Sequence, residues 1–289
     1  MLYLDRICHN TLTKGKPMEL IVQNGEIQKA YGYDEPVIKI PKGITRLCEG
    51  IFTSFIFLTH IELPDGLKYI DEHVFNNCVV LEEAIIPDSV CAIGEYAFQY
   101  CLKMSKLHLP LNLKRVESCT FRHCSSLKEV LLPENVEFVD YDAFFGCEKL
   151  ERFVALNSSC EFGQRAFYNC KSLKYLDAPR ALKRLDEEQL SRVCANYCRD
   201  PESFSDASKL AYEELLRYPS KRVMELLCEK DEDDALAVLL KDVLDVSRTD
   251  EFLITARKYS ASKCVSALLE YKNKKGIGGI DAMMSEFEI

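Results

Sequence analysis

The stretch "YAFQYCLKMSKLHLPLNL", residues 96–113, contains a phenylalanine, a cysteine and a proline at Phe98, Cys101 and Pro110. All three residue types return 23 residues later, and the phenylalanine and cysteine return again after a further 23. A fixed period between about 20 and 50 residues is typical of a solenoid, whose turns bury their apolar edges against one another. The spacing therefore predicts a stack of 23-residue turns.

Aligned on this period, the chain shows columns of like residues. Prolines, with one leucine among them, stand at Pro41, Pro64, Pro87, Pro110, Pro133, Leu156 and Pro179. Phenylalanines stand at Phe52, Phe75, Phe98, Phe121, Phe144 and Phe167. Three residues further lie one phenylalanine and five cysteines: Phe55, Cys78, Cys101, Cys124, Cys147 and Cys170. Columns in one register predict that each forms a ladder in the core of the solenoid.

Each turn contains a strand pattern. In "EVLLP" (129–133), Val130 and Leu132 should point inward, whereas Glu129 and Leu131 should point outward. Pro133 lacks an N–H donor and should end the strand. The segment "GEYAFQYC" (94–101) has helical spacing and predicts about one turn of helix on the opposite side.

The cysteine column is interpreted as a set of buried, apolar-tolerant core residues. A disulfide ladder fits poorly, because bridged Cβ atoms lie about 3.8 Å apart, closer than stacked strands at about 4.8 Å. A metal site fits worse, since thiols in single file cannot surround an ion tetrahedrally.

Turns such as "IIPDSVCAIGEYAFQYCLKMSKL" (85–107) resemble the BspA-like leucine-rich repeats of bacteria, which read roughly L-P-x-x-V-x-x-I-G-x-x-A-F-x-x-C-x-x-L. The segment 20–44 resembles that family's common opening hairpin, with an Asn-Gly turn between two strands. The match covers about residues 18–180. It implies an α/β repeat solenoid, namely a leucine-rich-repeat right-handed coil with a parallel β-sheet face. Exported members of the family are thought to act as surface adhesins.

An all-α C-terminal domain is predicted after Pro179. Residues 178–200 and 206–218 have helical periods, with Asp206 as the predicted cap of the second helix. Segments 225–242 and 254–272 resemble each other at an offset of 29, and the second is similar to a degenerate ankyrin-type repeat. The tail, residues 275–289, is predicted to dock on the helices, with disorder as the alternative.

Three parts follow from these patterns. Residues 1–40 should form an N-terminal capping segment with a β-hairpin, and residues 41–180 a leucine-rich-repeat solenoid of about six turns. Residues 181–289 should form the helical domain with a flexible tail.

Charge and hydropathy exclude some classes of protein. The net charge of −9 argues against nonspecific nucleic-acid binding, which needs a basic face. No stretch approaches the roughly 18 apolar residues of a membrane span. Asp5 and Arg6 interrupt the start of the chain, so no signal peptide is expected and a cytoplasmic location is predicted, with the cell surface as the alternative.

No catalytic or cofactor motif emerges from the sequence. The histidines do not form a zinc-protease, triad or kinase pattern; they are His9, His60, His73, His108 and His123. In "CANYC" (194–198) the two cysteines lie on a predicted helix with no metal-ligand partner nearby. No catalytic residue, cofactor or metal is therefore predicted.

The outward-facing strand positions are the most informative about function. The column two residues before the proline includes the apolar stripe Ile85, Leu131 and Val154 with His108 among them. The column four before the proline alternates in charge and then ends on an aromatic: Glu83, Lys106, Glu129, Arg152 and Tyr175. Exposed apolar patches usually mark binding surfaces, and solenoids bind on extended faces.

The leading hypothesis is a non-catalytic module that binds a protein or peptide on this face of the sheet. One alternative is a surface adhesin exported by an unrecognised route. The other is a thiol enzyme with its site at Cys194 or Cys198 in the helical domain. The sequence does not identify the partner or the oligomeric state.

Overall fold

The computed structural model describes residues 18–32, 35–217, 219–229, 231 and 233–275. The chain folds into two compact units. The first comprises Met1–Leu150 and Ala155–Ser172, and the second comprises Glu151–Val154 and Leu173–Ile289. The predicted docking of the tail concerns residues 276–289, which lie outside the described residues.

Short strands recur throughout the repeat. They are β1 (Glu19–Gln23), β2 (Glu26–Tyr31), β3 (Val37–Lys39), β4 (Arg46–Leu47), β5 (His60–Glu62), β6 (Tyr69–Ile70), β7 (Glu83–Ile85), β8 (Ala92–Ile93), β9 (Lys106–His108), β10 (Arg115–Val116), β11 (Glu129–Leu132), β12 (Phe138–Val139), β13 (Arg152–Ala155), β14 (Glu161–Phe162) and β15 (Tyr175–Asp177).

Parallel pairing between turns confirms the solenoid. After the antiparallel hairpin of β1 and β2, the ladder runs in parallel through β4, β6 and β8, and a second ladder joins β10, β12 and β14. On another face β3 pairs with β5, and β7 pairs with β9. The predicted Asn-Gly turn joins β1 to β2, because Asn24 and Gly25 both have the positive φ that a tight hairpin turn requires.

The phenylalanine column forms a continuous stack in the core. Ring centroids in successive turns lie 5.0 to 6.2 Å apart with near-parallel planes, and the rings are Phe52, Phe75, Phe98, Phe121, Phe144 and Phe167. All six side chains are fully buried. Each turn therefore covers the apolar ring of the turn before it, as the period predicts.

The cysteine column is buried as predicted, but its thiols also donate hydrogen bonds. Cys101 Sγ donates to the carbonyl oxygen of Phe75 at 3.3 Å, and Cys124 Sγ donates to that of Phe98 at 3.2 Å. Equivalent bonds come from Cys78, Cys147 and Cys170. The residue is therefore a filler with a weak donor, which alanine or valine would lack.

The expectation of a helical turn at residues 94–101 is wrong. This segment and its equivalents form consecutive tight turns, in which two residues four apart adopt positive φ: Gly50 and Ser54, His73 and Asn77, Tyr96 and Tyr100, Cys119 and His123, Asp142 and Gly146, Arg165 and Asn169. Backbone N–H groups point to the next turn, as when Phe98 N donates to Thr120 O at 2.9 Å. The cross-turn bonds satisfy groups that a helix would have paired internally.

Leu156 interrupts the proline column, and its backbone N–H donates a hydrogen bond. Its backbone nitrogen donates to the carbonyl oxygen of Leu132 at 3.2 Å, a bond that a proline could not make. The departure from the repeat thus adds a hydrogen bond between two turns of the first unit.

Helices make up most of the second unit: α1 (Glu187–Arg199), α2 (Asp206–Leu216), α3 (Lys221–Cys228), α4 (Asp233–Asp242), α5 (Thr249–Lys258) and α6 (Ser262–Lys275). α3 packs against α5, and α4 packs against α6. The consecutive helices α3 and α4, and likewise α5 and α6, coincide with the two segments predicted to repeat at an offset of 29. The likeness to ankyrin repeats stays a prediction. The cap of α2 is Ser205 and not Asp206, because the Ser205 side chain accepts from Ser208 N.

Candidate functional site

The outward face of β7, β9 and β11 presents apolar side chains to solvent. Ile85 is 59% exposed and Leu131 is 53% exposed, while His108 lies directly beside Ile85 in the parallel register. Strand alternation produces this arrangement, since Ala84 and Val130 point into the core. We call Ile85, His108 and Leu131, with the flanking Glu83, Lys106 and Glu129, the strand-face surface.

Charged side chains flank the apolar positions of the strand-face surface. Lys106 Nζ lies 3.5 Å from Glu83 Oε2, as the alternation of charge predicts. His108 Nε2 lies 3.9 Å from Asp88 Oδ1, which gives the imidazole a partner when it is protonated. Exposed pairs of this kind are worth about 0.2–1 kcal/mol each. They help to set the register of neighbouring turns and leave the two aliphatic side chains uncovered within the described residues.

Tyr175, predicted as part of this face, is buried in the second unit and is only 8% exposed. Its ring stacks on Phe204 with centroids 4.3 Å apart, and its hydroxyl donates to Ser203 O. The guanidinium of Arg152 lies 3.8 Å from the centre of the Tyr175 ring. The expectation that Tyr175 is available to a partner is therefore wrong, because residues later in the chain cover it.

Arg152 and Val154 belong to the second unit and are both half-buried. Val154 pairs in register with Asp177 of β15, whose carboxylate accepts from Ser205 N at 3.1 Å and from Ser205 Oγ at 2.6 Å. The end of the strand column is thus part of the packing of the helical unit.

A cluster in the tight-turn segments of the first unit was missed by sequence reasoning. Asp142 is fully buried, and its carboxylate lies 3.1 Å from nitrogens of both Arg122 and Arg165. Both guanidinium groups also lie within 5.0 Å of the centre of the Phe145 ring. The spacing of 23 between Asp142 and Arg165 could have indicated this contact, because residues one period apart are neighbours in a solenoid.

Burial raises the pKa of Asp142, an effect that the two arginines oppose. Desolvation penalises the charged carboxylate, whereas neighbouring positive charge favours it. The cluster therefore links three successive turns by charge and ring contacts.

The buried thiols of Cys194, Cys78 and Cys147 lack the character of nucleophiles. Burial raises the pKa of Cys194 to about 12, and it does the same for Cys78 and Cys147 in the solenoid. Reactive cysteines have a lowered pKa and some exposure. The environment of Cys194 therefore argues against the thiol-enzyme alternative at that residue, and Cys198 beside it is buried as well.

Two further findings concern classes of site. Among the described residues, no group of three or more histidine, cysteine, aspartate or glutamate side chains comes together to hold a metal ion. No helix in the described ranges is long and apolar enough to cross a membrane.

The repeat matches the sequence model of the BspA type leucine-rich repeat region. Six copies are found, over residues 36–151 and 91–215, which together span more than half of the chain. The chain belongs to the BspA-type leucine-rich repeat family. Membership identifies the type of repeat and specifies no ligand.

Solved structures of bacterial leucine-rich repeat proteins are similar to parts of the chain. One from Bacteroides ovatus is 26% identical, with 46% of this chain and 40% of that chain covered and a TM-score of 0.39. One from Eubacterium ventriosum is 22% identical, with 55% and 44% covered and a TM-score of 0.47. A leucine rich cell surface protein from Faecalibacterium prausnitzii is 20% identical, with 54% and 62% covered and a TM-score of 0.33.

The chain thus spans less than half the length of the first two of these proteins. No curated protein matches it significantly.

Proposed function

We propose that this protein is a non-catalytic interaction module that binds a protein or peptide on its strand-face surface. The observation that carries the proposal is the pair of exposed aliphatic side chains, Ile85 on β7 and Leu131 on β11, which lie on either side of β9 and its His108. A partner that covers both would gain the hydrophobic free energy of two large side chains, about 1.5–3 kcal/mol for each if burial is complete.

The flanking charges give this surface specificity. Glu83, Lys106 and Glu129 alternate in sign along the stack of turns. A partner strand or helix with complementary charges would dock in one register, whereas a mismatched partner would leave like charges opposed. We expect a partner with an apolar centre and charged flanks of both signs.

Paired substitutions test the proposal. The double variant Ile85→Asp with Leu131→Asp places two carboxylates on the strand-face surface. Leu111 and Leu156 are 55% and 56% exposed and lie outside the strands, so Leu111→Asp with Leu156→Asp is a matched control. Each version is used as bait in affinity purification from the native cell, and captured proteins are quantified by mass spectrometry.

We expect at least one specifically captured protein to be lost from the strand-face variant and retained by the control. Both variants should keep the circular dichroism spectrum of the wild type, since none of the four side chains is buried. Equal capture by the wild type and the folded strand-face variant would contradict the proposal.

The cytoplasm and the cell surface are both compatible with such a module. Fractionation, together with protease treatment of intact cells, decides between them. Digestion of the protein on intact cells supports the adhesin-like form of the proposal, whereas full protection supports the cytoplasmic form.

A further inference from the structure

Aromatic side chains form a row at the surface of the tight-turn segments in the first unit. Tyr100 stacks on His123 with ring centroids 5.0 Å apart, and Phe145 stacks on Tyr168 with centroids 5.3 Å apart. His123 meets the Phe145 ring edge to face at 5.2 Å, which joins the two pairs. Tyr100 and Tyr168 are 39% and 52% exposed. The row is therefore open to solvent, unlike the phenylalanine stack in the core.

Backbone contacts between turns hold the row in place. His123 N donates to Phe145 O at 2.7 Å, and Gly146 N donates to Tyr168 O at 2.9 Å. A Cβ atom at Gly146 would lie 2.5 Å from Nδ1 of His123, so the absence of a side chain there makes room for the imidazole. Because the backbone fixes the rings before a ligand arrives, little conformational entropy is lost when one binds.

Two arginines lie over rings of this row. The guanidinium carbon of Arg122 is 4.5 Å from the centre of the Phe145 ring. That of Arg165 is 5.0 Å from the centre of the Phe145 ring and 5.6 Å from that of Tyr168. The Arg165 side chain is 45% exposed, so its charge is open to a ligand. We call the four rings and the two arginines the turn surface: Tyr100, Arg122, His123, Phe145, Arg165 and Tyr168.

The turn surface presents ring edges more than ring faces. Rings that stack on one another cover their faces along the row, and the guanidinium groups lie over ring faces as well. The edge of an aromatic ring carries the positive part of its quadrupole, whereas the face carries the negative part. The hydroxyls of Tyr100 and Tyr168 add hydrogen-bond donors. Ring edges, hydroxyls and guanidinium groups therefore all favour a negatively charged ligand.

The charges of the turn surface leave an excess of one positive charge. Arg122 and Arg165 share the carboxylate of Asp142, so two positive charges and one negative charge leave +1. Burial and the neighbouring Arg122 lower the pKa of His123, which leaves the imidazole uncharged at neutral pH. In a chain whose net charge is −9, this local excess favours an acidic partner over a basic one.

We propose that the turn surface binds an acidic peptide segment. Carboxylates of the segment accept charge-assisted hydrogen bonds from the exposed guanidinium group of Arg165 and lie against the ring edges. A ligand that stacks, such as a nucleobase, needs an open ring face, and stacking within the row takes up such faces. The turn surface shares no residue with the strand-face surface, so either proposal can fail while the other stands.

Fluorescence anisotropy tests the proposal on the full chain. The probe is a fluorescein-labelled peptide of alternating glutamate and serine, whose carboxylates lie on one side when the peptide is extended. We expect saturable binding that weakens as the concentration of sodium chloride is raised, because salt screens the attraction. The same labelled peptide with glutamine in place of glutamate is the neutral control, and it should bind several-fold more weakly.

Two arginine variants locate the binding. Arg165→Gln removes the exposed guanidinium group and should weaken binding of the glutamate peptide several-fold. Arg46→Gln is the matched control, because Arg46 also lies over a ring, that of Tyr69 at 5.0 Å, and pairs with Asp71 at 2.9 Å. Both substitutions change the net charge of the chain by the same amount. A loss of affinity in Arg165→Gln alone therefore assigns binding to the turn surface and not to total charge.

A third variant decides the matter if the loss of Arg165 unfolds the chain. Tyr168→Leu keeps both arginines on Asp142 and removes an exposed ring edge with its hydroxyl. We expect it to keep the circular dichroism spectrum of the wild type and to bind the glutamate peptide several-fold more weakly.

Three results would overturn the proposal. The first is that the wild type shows no saturable binding of the glutamate peptide. The second is unchanged affinity in folded Tyr168→Leu, or an equal loss of affinity in Arg165→Gln and Arg46→Gln. The third is tighter binding of a single-stranded oligothymidylate than of the glutamate peptide, which would show that the rings stack on bases.

Discussion

At the scale of single residues, the stacked turns leave little room at one point of the repeat. A Cβ atom added to Gly94 would lie 2.5 Å from the backbone nitrogen of Glu72 and 2.7 Å from the carbonyl carbon of Asp71. Real Cβ atoms do not approach backbone so closely, and the backbone of the neighbouring turn is held by its own cross-turn hydrogen bonds. Glycine at this position is therefore a requirement of packing.

Substitution of Gly94 by alanine should destabilise the protein. We expect Gly94→Ala to lower the free energy of unfolding by about 3 kcal/mol, the upper end for overpacking, because backbone atoms cannot move aside as a side chain can. Urea unfolding followed by circular dichroism measures the change. Glu117→Ala is the control, since Glu117 occupies the same column one turn later with a partly exposed side chain, and a loss of equal size there would contradict the argument.

Residues of the core were predictable because the period itself carries the information. Phe98 recurs one period later as Phe121, and apolar rings that repeat at the period of a solenoid are expected in its core, where successive turns bury them. The conformations of Tyr96 and Tyr100 were not predictable, since bulky residues rarely adopt positive φ. Hydrogen bonds between turns impose that conformation, and such bonds do not show in the local sequence.

At the scale of elements, the last strand of the repeat, β15, packs against the helices of the second unit. Hydroxyl and carboxylate groups join β15 to the chain around α2: Tyr212 Oη donates to Leu176 O at 2.9 Å, and Asp177 accepts from Ser205. Tyr212 also stacks on Tyr197 of α1 with ring centroids 4.6 Å apart. A strand that is solvent-facing in the repeat pattern is thereby covered on its outer side.

Removal of the Tyr212 hydroxyl should weaken this junction within the second unit. Tyr212→Phe keeps the ring contact with Tyr197 and loses the donor to the buried carbonyl of Leu176, so we expect a loss of about 1 kcal/mol in the free energy of unfolding. Tyr168→Phe is the control, because Tyr168 is exposed and its ring contacts do not need the hydroxyl. Equal urea midpoints for the two variants would contradict the role assigned to this bond.

The burial of Tyr175 shows where sequence reasoning about elements stops. Alternation along β15 places Tyr175 in the outward column, together with Lys106 and Glu129 of earlier turns. Whether an outward side chain meets water depends on what packs above it, here Phe204. That packing depends on the path of the chain after α1. The periodicity of the sequence predicts secondary structure and does not predict that path.

At the scale of the whole molecule, the buried thiols should make stability depend on alkaline pH. The pKa values of Cys78, Cys147 and Cys194 are raised from about 9.0 to about 12 by burial, and those of Cys101 and Cys124 are raised well above the ordinary value. Below pH 9.0 these thiols are protonated in both the folded and the unfolded chain, and they add no pH dependence.

Between pH 9.0 and about 12 the unfolded chain loses thiol protons that the folded chain retains. The unfolded state then binds fewer protons, so stability falls as pH rises, with a limiting slope of about 1.4 kcal/mol per pH unit for each buried thiol. We expect the urea midpoint to fall steeply across this range. The double variant Cys78→Ala with Cys147→Ala should show a shallower fall, because two of the titrating groups are gone.

Cys91 is exposed, and Cys91→Ala should leave the slope of the wild type unchanged. Tyrosines and lysines titrate in the same range in every version of the chain, so the difference between the double variant and Cys91→Ala isolates the buried thiols. If removal of Cys78 and Cys147 left the slope unaltered, their thiols would ionise as easily in the folded chain as in the unfolded one. That result would contradict the prediction, because burial disfavours the charged thiolate.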